Sequence, residues 1–208
     1  MDIGEYGKAH ALLSPSSAER WLSCPASLRM VDSLDRAGDD EGSEWAREGT
    51  RAHTLCEIEA SREFGLTTDE DYRAFKASWL RTAEAHGDDV EEMEECARAY
   101  ITLLRDICAG IAHPQIQLEQ RVQTGVPGCW GTTDAAIVGG RTLHVVDYKH
   151  GQGVVVNATQ NPQLMLYGLG TLEVFALLTE VDHVVMWICQ PRAGGISPMA
   201  VAVRTSQS

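Results

Sequence analysis

The chain has 208 residues, 44% hydrophobic and 23% charged, which is typical of one soluble globular domain with a helical elaboration. No apolar run reaches the ~20 residues of a transmembrane helix. The N-terminal MDIGEYGKAH also lacks the basic start and apolar stretch of a secretory signal. We therefore expect a cytoplasmic protein with no membrane partner. The net charge of −13 argues against non-specific nucleic-acid binding, but residues 113–208 carry only −1 of it.

The first half of the chain predicts helices. Ser14 as an N-cap and Pro15 at the first helical position indicate a helix within 14–30, which Pro25 should interrupt. A polar loop and three longer helices follow, the loop at 32–43 and the helices from about 44 or 50 to 63, over 69–86 and over 89–109. Residues 1–112 should therefore form a helical region packed on a core.

Beyond His113 the apolar period changes from that of helices to that of strands. Strands are expected around 116–122, over 132–138, over 141–149 and over 183–190, with 154–156 a candidate short strand and a helix over 159–178. This order indicates an α/β fold, with its core in residues 113–208 and one compact domain overall.

A glycine pair predicts a β-hairpin that brings charged residues together. If Gly139-Gly140 is a two-residue loop, Asp134 faces Val145 and shares one face with Asp147 and Lys149. A three-residue loop would place Asp134 on the other face. Carboxylates between apolar strand residues need a cation, a salt bridge or solvent, and a divalent metal fits. On Asp-x-Lys alone, a structural salt bridge at a strand end is the more frequent explanation.

Other polar residues are candidates for the same site. Glu119 lies on the preceding strand and could reach it, or could be an exposed strand glutamate, since its phase opposes the apolar residues there. Gln160, Gln163 and Tyr167 share one face of the predicted helix. That polar stripe either lines an active site or is a helix edge facing water.

Four motifs in this order resemble the RecB branch of the PD-(D/E)XK nucleases, which includes RecB and AddB nuclease domains and CRISPR-associated RecB-like exonucleases. They are GxxxH at 49–53, GTTD at 131–134, DYK at 147–149 and QxxxY at 163–167. Phrases such as EGTRAH and LHVVDYKHGQGV resemble still more closely a phage and prophage family known as a domain of unknown function. The similarity covers roughly residues 10–192.

The resemblance implies a PD-(D/E)XK restriction-endonuclease-like core, with a central mixed sheet flanked by helices. It implies a metal-dependent DNA nuclease, preferably an exonuclease, in phage or prophage DNA processing or recombination. DNA would be the partner, together with phage recombination or replication proteins. Gln163 and Tyr167, with Gln160 beside them, would bind substrate and position the lysine, and Glu119 would join the catalytic group.

The resemblance also implies a set of ligands for Mg²⁺ or Mn²⁺. Asp134 and Asp147 would hold the metal with the Tyr148 backbone carbonyl, and His53 would be an additional ligand from the helical region. Lys149 would be the catalytic lysine. A lone helical histidine is otherwise more often structural.

The cysteines depart from the pattern of many relatives, which bind a [4Fe–4S] cluster through four cysteines. Only Cys24 and Cys189 stand at corresponding places, so we do not expect a cluster in this chain. Two alternatives to the enzyme stay open. One is an inactive or truncated RecB-like module that binds nucleic acid or protein, and the other is an unrelated acidic α/β protein whose DYK is structural. The sequence does not indicate an oligomeric state.

Overall fold

The structure, a computed structural model, describes residues 11, 13–30 and 43–202. The predicted loop lies outside these residues except for its last position, and so do the C-terminal RTSQS and the N-terminal MDIGEYGKAH. The helices are a 3₁₀ turn at Pro15–Ser17, α1 (Ala18–Ser23), α2 (Glu44–Glu63), α3 (Asp69–His86), α4 (Val90–Ala109) and α5 (Pro162–Phe175).

The three long N-terminal helices begin at side-chain caps. Ser43, Thr68 and Asp89 each accept a hydrogen bond from the backbone N–H three residues further on. Gly87, with a φ of 72°, ends α3 in the left-handed conformation that glycine adopts without steric cost. These helices are confirmed, and the predicted break at Pro25 is also found, since α1 ends at Ser23 and residues 27–30 are helical again.

The five strands form one mixed sheet in chain order. They are β1 (Gln115–Gln123), β2 (Trp130–Gly139), β3 (Thr142–Tyr148), β4 (His183–Gln190) and β5 (Gly195–Ala202). Neighbours pair antiparallel except β3 and β4, which are parallel and joined through α5. The expected α/β class is thus confirmed as a mixed sheet flanked by helices. The candidate strand at 154–156 is wrong, and β5 was not predicted.

The β2–β3 hairpin differs from its predicted register. Val138 pairs with Leu143 and Gly139 with Thr142, so the turn residues are Gly140 and Arg141. Both have positive φ, 55° and 64°, as the two-residue turn favoured by twisted strands requires. The predicted glycine-glycine loop is therefore wrong by one residue.

The register error does not change the face on which the charged residues lie. The ladder runs to Ala135 opposite Val146, so the next position sets Asp134 opposite Asp147 rather than opposite Val145. The predicted and observed registers differ by two residues, and side chains alternate with a period of two. Asp134 and Asp147 therefore stay on the same face.

Apolar residues of both halves of the chain share the core on one side of the sheet. The core between the sheet and helices α2 to α4 joins Leu55 and Leu104 to Ile137 of β2. On the other side of the sheet, α5 packs Leu164 against Ile188 and its neighbours. The predicted division at residues 112 and 113 falls in the connection between α4 and β1, not between separate cores. Among the described residues no helix has the length and apolar character needed to cross a bilayer.

Candidate active site

Asp134 lies where strands β2 and β3 cease to pair. Its Oδ2 accepts a hydrogen bond of 2.6 Å from the backbone N–H of Tyr148. Its Oδ1 lies 3.2 Å from Nδ1 of His53, which α2 brings to this end of the sheet. The carboxylate therefore joins the helical layer to the strand that carries the DYK motif.

Asp147, Lys149 and Gln163 form a closed group of polar contacts. Gln163 of α5 donates to Asp147 Oδ1 at 2.9 Å and accepts from Lys149 Nζ at 2.9 Å. Lys149 Nζ also lies 2.9 Å from Asp147 Oδ2. That contact is an ion pair without hydrogen-bond geometry, and Asp147 Oδ2 has no hydrogen-bond partner among the described residues. Asp147 is only 3% exposed.

The electrostatics of the site follow from this burial. Burial raises the pKa of Asp147 above its ordinary value, although the Lys149 ammonium offsets part of the rise. Burial lowers the pKa of His53, but the Asp134 and Asp147 carboxylates together raise it by more, so this pKa lies above its ordinary value. The site thus holds two acidic groups beside two cationic or potentially cationic ones.

Glu119 occupies a break in strand β1. Its φ of 48° is rare for a residue other than glycine or asparagine. Leu118 packs towards the helical core while Val122, of the same parity, belongs to the opposite core, so the alternation changes side around Glu119. The residue is exposed. Even so, desolvation of its carboxyl and the nearby Asp134 and Glu57 carboxylates raise the pKa of Glu119. Glu119 is therefore an exposed strand glutamate that also lies near the carboxylate of Asp134.

Helix α5 presents Gln163 and Tyr167 to the site, as their spacing predicted. Tyr167 is 6% exposed, and burial, with the Asp147 carboxylate nearby, raises the pKa of its phenol. Gln160 does not share their helical face, and that prediction is wrong. Asn161 caps α5 by accepting from Leu164 N, so Gln160 lies before the helix, exposed, with a φ of 56°.

Two groups near the site were not predicted. Glu57 stands one turn after His53 on α2, and the i, i+4 spacing in the sequence could have identified it. His150 follows the DYK motif directly, and its Nδ1 lies 2.9 Å from the Tyr148 hydroxyl. Tyr148 and His150 are two residues apart, so the alternation of an extended strand could have indicated that they share a face.

The described residues contain no group of three or more His, Cys, Asp or Glu side chains arranged to hold a metal ion as they stand. Cys24 is exposed after α1, and Cys189 is fully buried in β4, where burial raises its pKa to about 12. The expectation that no cluster is bound stays a prediction.

Together these features define a mixed α/β protein with an acidic and lysine-containing site at two strand ends. The chain belongs to the DUF2800 family, described as a protein of unknown function, which matches residues 10–208. This agrees with the expected resemblance to a family of unknown function.

Among solved structures, the one described as the crystal structure of SSO0001 is similar at 11% sequence identity and a TM-score of 0.30. The match covers 72% of this chain and spans about 64% of the length of that structure. A likeness this low carries no argument about function. Neither comparison supports the RecB-like assignment, which therefore remains a proposal.

Proposed function

We propose that this protein is a metal-dependent DNA nuclease of the RecB-like PD-(D/E)XK kind that acts as an exonuclease in phage or prophage DNA processing. The observation that carries the proposal is the meeting of Asp134, Asp147 and Lys149 at adjacent strand ends. A carboxylate as buried as Asp147 is costly unless a cation compensates it. If Asp147 pairs with the Lys149 ammonium before metal binds and with a divalent cation afterwards, its burial is accounted for in both states.

The donor set fits Mg²⁺ or Mn²⁺. These ions bind through one or two carboxylates and complete their shells with water and phosphate oxygens, so a ready-made protein cage is not required. Asp134 and Asp147 would hold the ion, with His53 and the Tyr148 carbonyl as additional ligands, and Asp147 Oδ2 has a lone pair that no hydrogen bond uses among the described residues. A bound ion would supply an activated water and an electrophile at the phosphate.

The protein's own groups would orient the phosphate and balance its charge. Lys149 offers an ammonium that can leave Asp147 and contact a phosphate oxygen as negative charge develops there. Gln163 limits the movement of that ammonium, because it binds Lys149 and Asp147 at once. Tyr167 is buried in the core next to Gln163, and Glu119 adds a carboxyl near Asp134.

The charge distribution is compatible with a DNA substrate. Residues 113–208 carry a net charge of only −1, so most of the repulsion comes from residues 1–112. Phosphate contacts would then be few and local to Lys149 and the ion. A protein with few phosphate contacts binds DNA with a shallow dependence on salt.

The test is a time course on end-labelled linear and circular DNA with Mn²⁺. We expect loss of linear DNA only. Lys149→Ala and Asp147→Asn should each lower the rate by about 100-fold or more, as removal of a group that stabilises transition-state charge does. Asp182→Asn is the matched control, since Asp182 is an exposed aspartate paired with Arg141 outside the site, and it should leave the rate unchanged.

The alternatives give other results. Retarded migration of DNA without degradation would replace the enzyme by a nucleic-acid-binding module. If DNA is neither bound nor cleaved, the site is a structural salt bridge and the nuclease proposal is wrong.

A further inference from the structure

A cavity of about 280 Å³ lies between the first turns of α2 and the segment that follows β3. Trp45 and Gly49 line it from the helix, and His150 and Arg192 line it from the sheet side. The volume is just below the range for small-molecule sites, about 300–1,000 Å³, which suits one flat ring system better than a larger ligand. The nuclease mechanism proposed above uses none of these four residues.

The cavity adjoins the proposed active site. Trp45, Gly49 and His53 are spaced four residues apart, so they follow one face of α2 over about 12 Å. On the sheet side, the ring of Tyr148 separates the two places. Its centroid lies 5.2 Å from that of His53 and 6.1 Å from that of His150. If a ligand is a linear polymer and one of its units lies at the active site, the neighbouring unit would therefore lie at the cavity.

His150 supplies a buried polar group with unused hydrogen-bonding capacity. The residue is 4% exposed, and its Nδ1 is engaged with the Tyr148 hydroxyl at 2.9 Å. Its Nε2 lies 3.3 Å from Glu48 Oε1, but the geometry makes no hydrogen bond, and this nitrogen has no such partner in the described part of the chain. A ligand with a polar edge could satisfy it.

The charges of the cavity are balanced rather than basic. Arg192 contacts Glu48 at 2.8 Å and Glu92 at 3.0 Å, so its guanidinium is already neutralised. The cavity is therefore not built to hold a phosphate. Trp45 is 74% exposed, and an indole of that exposure offers a free face for stacking. A flat heterocycle with a polar edge, namely a nucleobase, matches this combination.

We propose that this cavity binds one nucleobase of a single-stranded DNA end, stacked on Trp45 and hydrogen-bonded by His150, next to the phosphate that an ion at Asp134 and Asp147 would bind. The inference rests on the proposed nuclease function and adds the substrate class to it. It follows that the protein takes a single strand, because a base paired in a duplex cannot enter a cavity of this size.

Binding of a fluorescent short oligothymidylate, measured by anisotropy with Ca²⁺ in place of Mn²⁺, keeps a cation at the carboxylates and tests the cavity separately from hydrolysis. Stacking of one base on an aromatic side chain corresponds to about a 5- to 150-fold difference in Kd. We expect Trp45→Ala to weaken binding by a factor in this range and Trp45→Phe to retain most of the affinity. Phe75→Ala is the control, because Phe75 is also exposed but lies outside the cavity, and it should change nothing.

A second probe separates base contacts from phosphate contacts. An abasic oligonucleotide of the same length should bind the wild-type protein as weakly as the oligothymidylate binds Trp45→Ala. The loss caused by Trp45→Ala should also be the same at low and high salt, since stacking involves no counterion release.

The inference is overturned if Trp45→Ala binds like the wild type, if the abasic strand binds as tightly as the normal one, or if the wild type binds neither probe. Its failure is distinct from failure of the nuclease proposal. Base-dependent binding without Mn²⁺-dependent cleavage would remove the enzyme and leave the cavity. Cleavage with no effect of Trp45→Ala would do the reverse.

Discussion

Replacing Gln163 by methionine removes both hydrogen bonds that hold the charged pair at the strand ends while nearly preserving the side-chain volume. Its amide donates to Asp147 and accepts from Lys149, each at 2.9 Å. Asp147 is 3% exposed, so water cannot replace the lost donor, whereas the Lys149 side chain is 25% exposed and can be rehydrated. The cost should therefore come mainly from the Asp147 hydrogen bond.

A hydrogen bond to a charged group contributes about 1.5–3 kcal/mol, and an oxygen left without its partner loses a similar amount. We expect Gln163→Met to lower the free energy of unfolding by about 2 kcal/mol. Urea denaturation measures this as a lower midpoint with an unchanged m-value, because the surface exposed on unfolding is nearly the same.

Gln160→Met is the matched control, since Gln160 is exposed and lies before the helix. Its unfolding free energy should stay within about 0.5 kcal/mol of the wild type. The same pair separates the roles in catalysis. If Gln163 positions Lys149, Gln163→Met should lower kcat with little effect on KM. Gln160→Met should change neither kcat nor KM. Equal effects of the two variants on stability would show that the polar group around Asp147 is not formed.

Four further outcomes are expected. Gly170→Ala places a Cβ 3.0 Å from the carbonyl carbon of Gln123 and should destabilise the protein by about 1–3 kcal/mol in urea denaturation. Gly49→Ala lies inside α2 with nothing within 4 Å of the new Cβ, so it should be neutral or stabilising. A larger loss of stability for Gly49→Ala than for Gly170→Ala would refute this packing. Asp88→Asn should cost about 3 kcal/mol, with little change at high salt, because it removes the charge of a largely buried partner of Arg51. A loss that disappears in salt would instead identify a surface pair. Finally, DNA affinity measured at several salt concentrations should fall with a shallow slope of the logarithms, near one or two phosphate contacts, and a steep slope would contradict the local phosphate site.

The helical layer was predictable because its signals are local. Caps such as Ser43 and Thr68, and the glycine after α3, act through neighbouring backbone groups, so tertiary contacts do not have to be known. The meeting of Asp134 and Asp147 was predictable for a different reason. It depends on strand parity alone, and therefore it survived an error in the position of the turn.

Non-local contacts decided what the sequence could not predict. The β-branched run at 154–156 has strand propensity. The buried Gln190 side chain, however, takes up Val156 N and Val154 O, which a sheet ladder would otherwise use. The alternation of buried and exposed residues in β5 is weak, and the strand contains Pro198. β5 is an edge strand, where a missing backbone N–H on the open side leaves no hydrogen bond unmade.

The site divides in the same way. The sequence by itself determined which residue types lie on the DYK face, because side-chain alternation is a property of every extended strand. Only the tertiary structure decided that Glu119 lies across from Asp134 at a break with positive φ, and that His150 lies beside the cavity lined by Trp45. The first placement depends on the register between β1 and β2, and the second on how helix α2 packs against the ends of the strands. Packing of that kind is the sum of many weak contacts, so no short motif in the sequence encodes it.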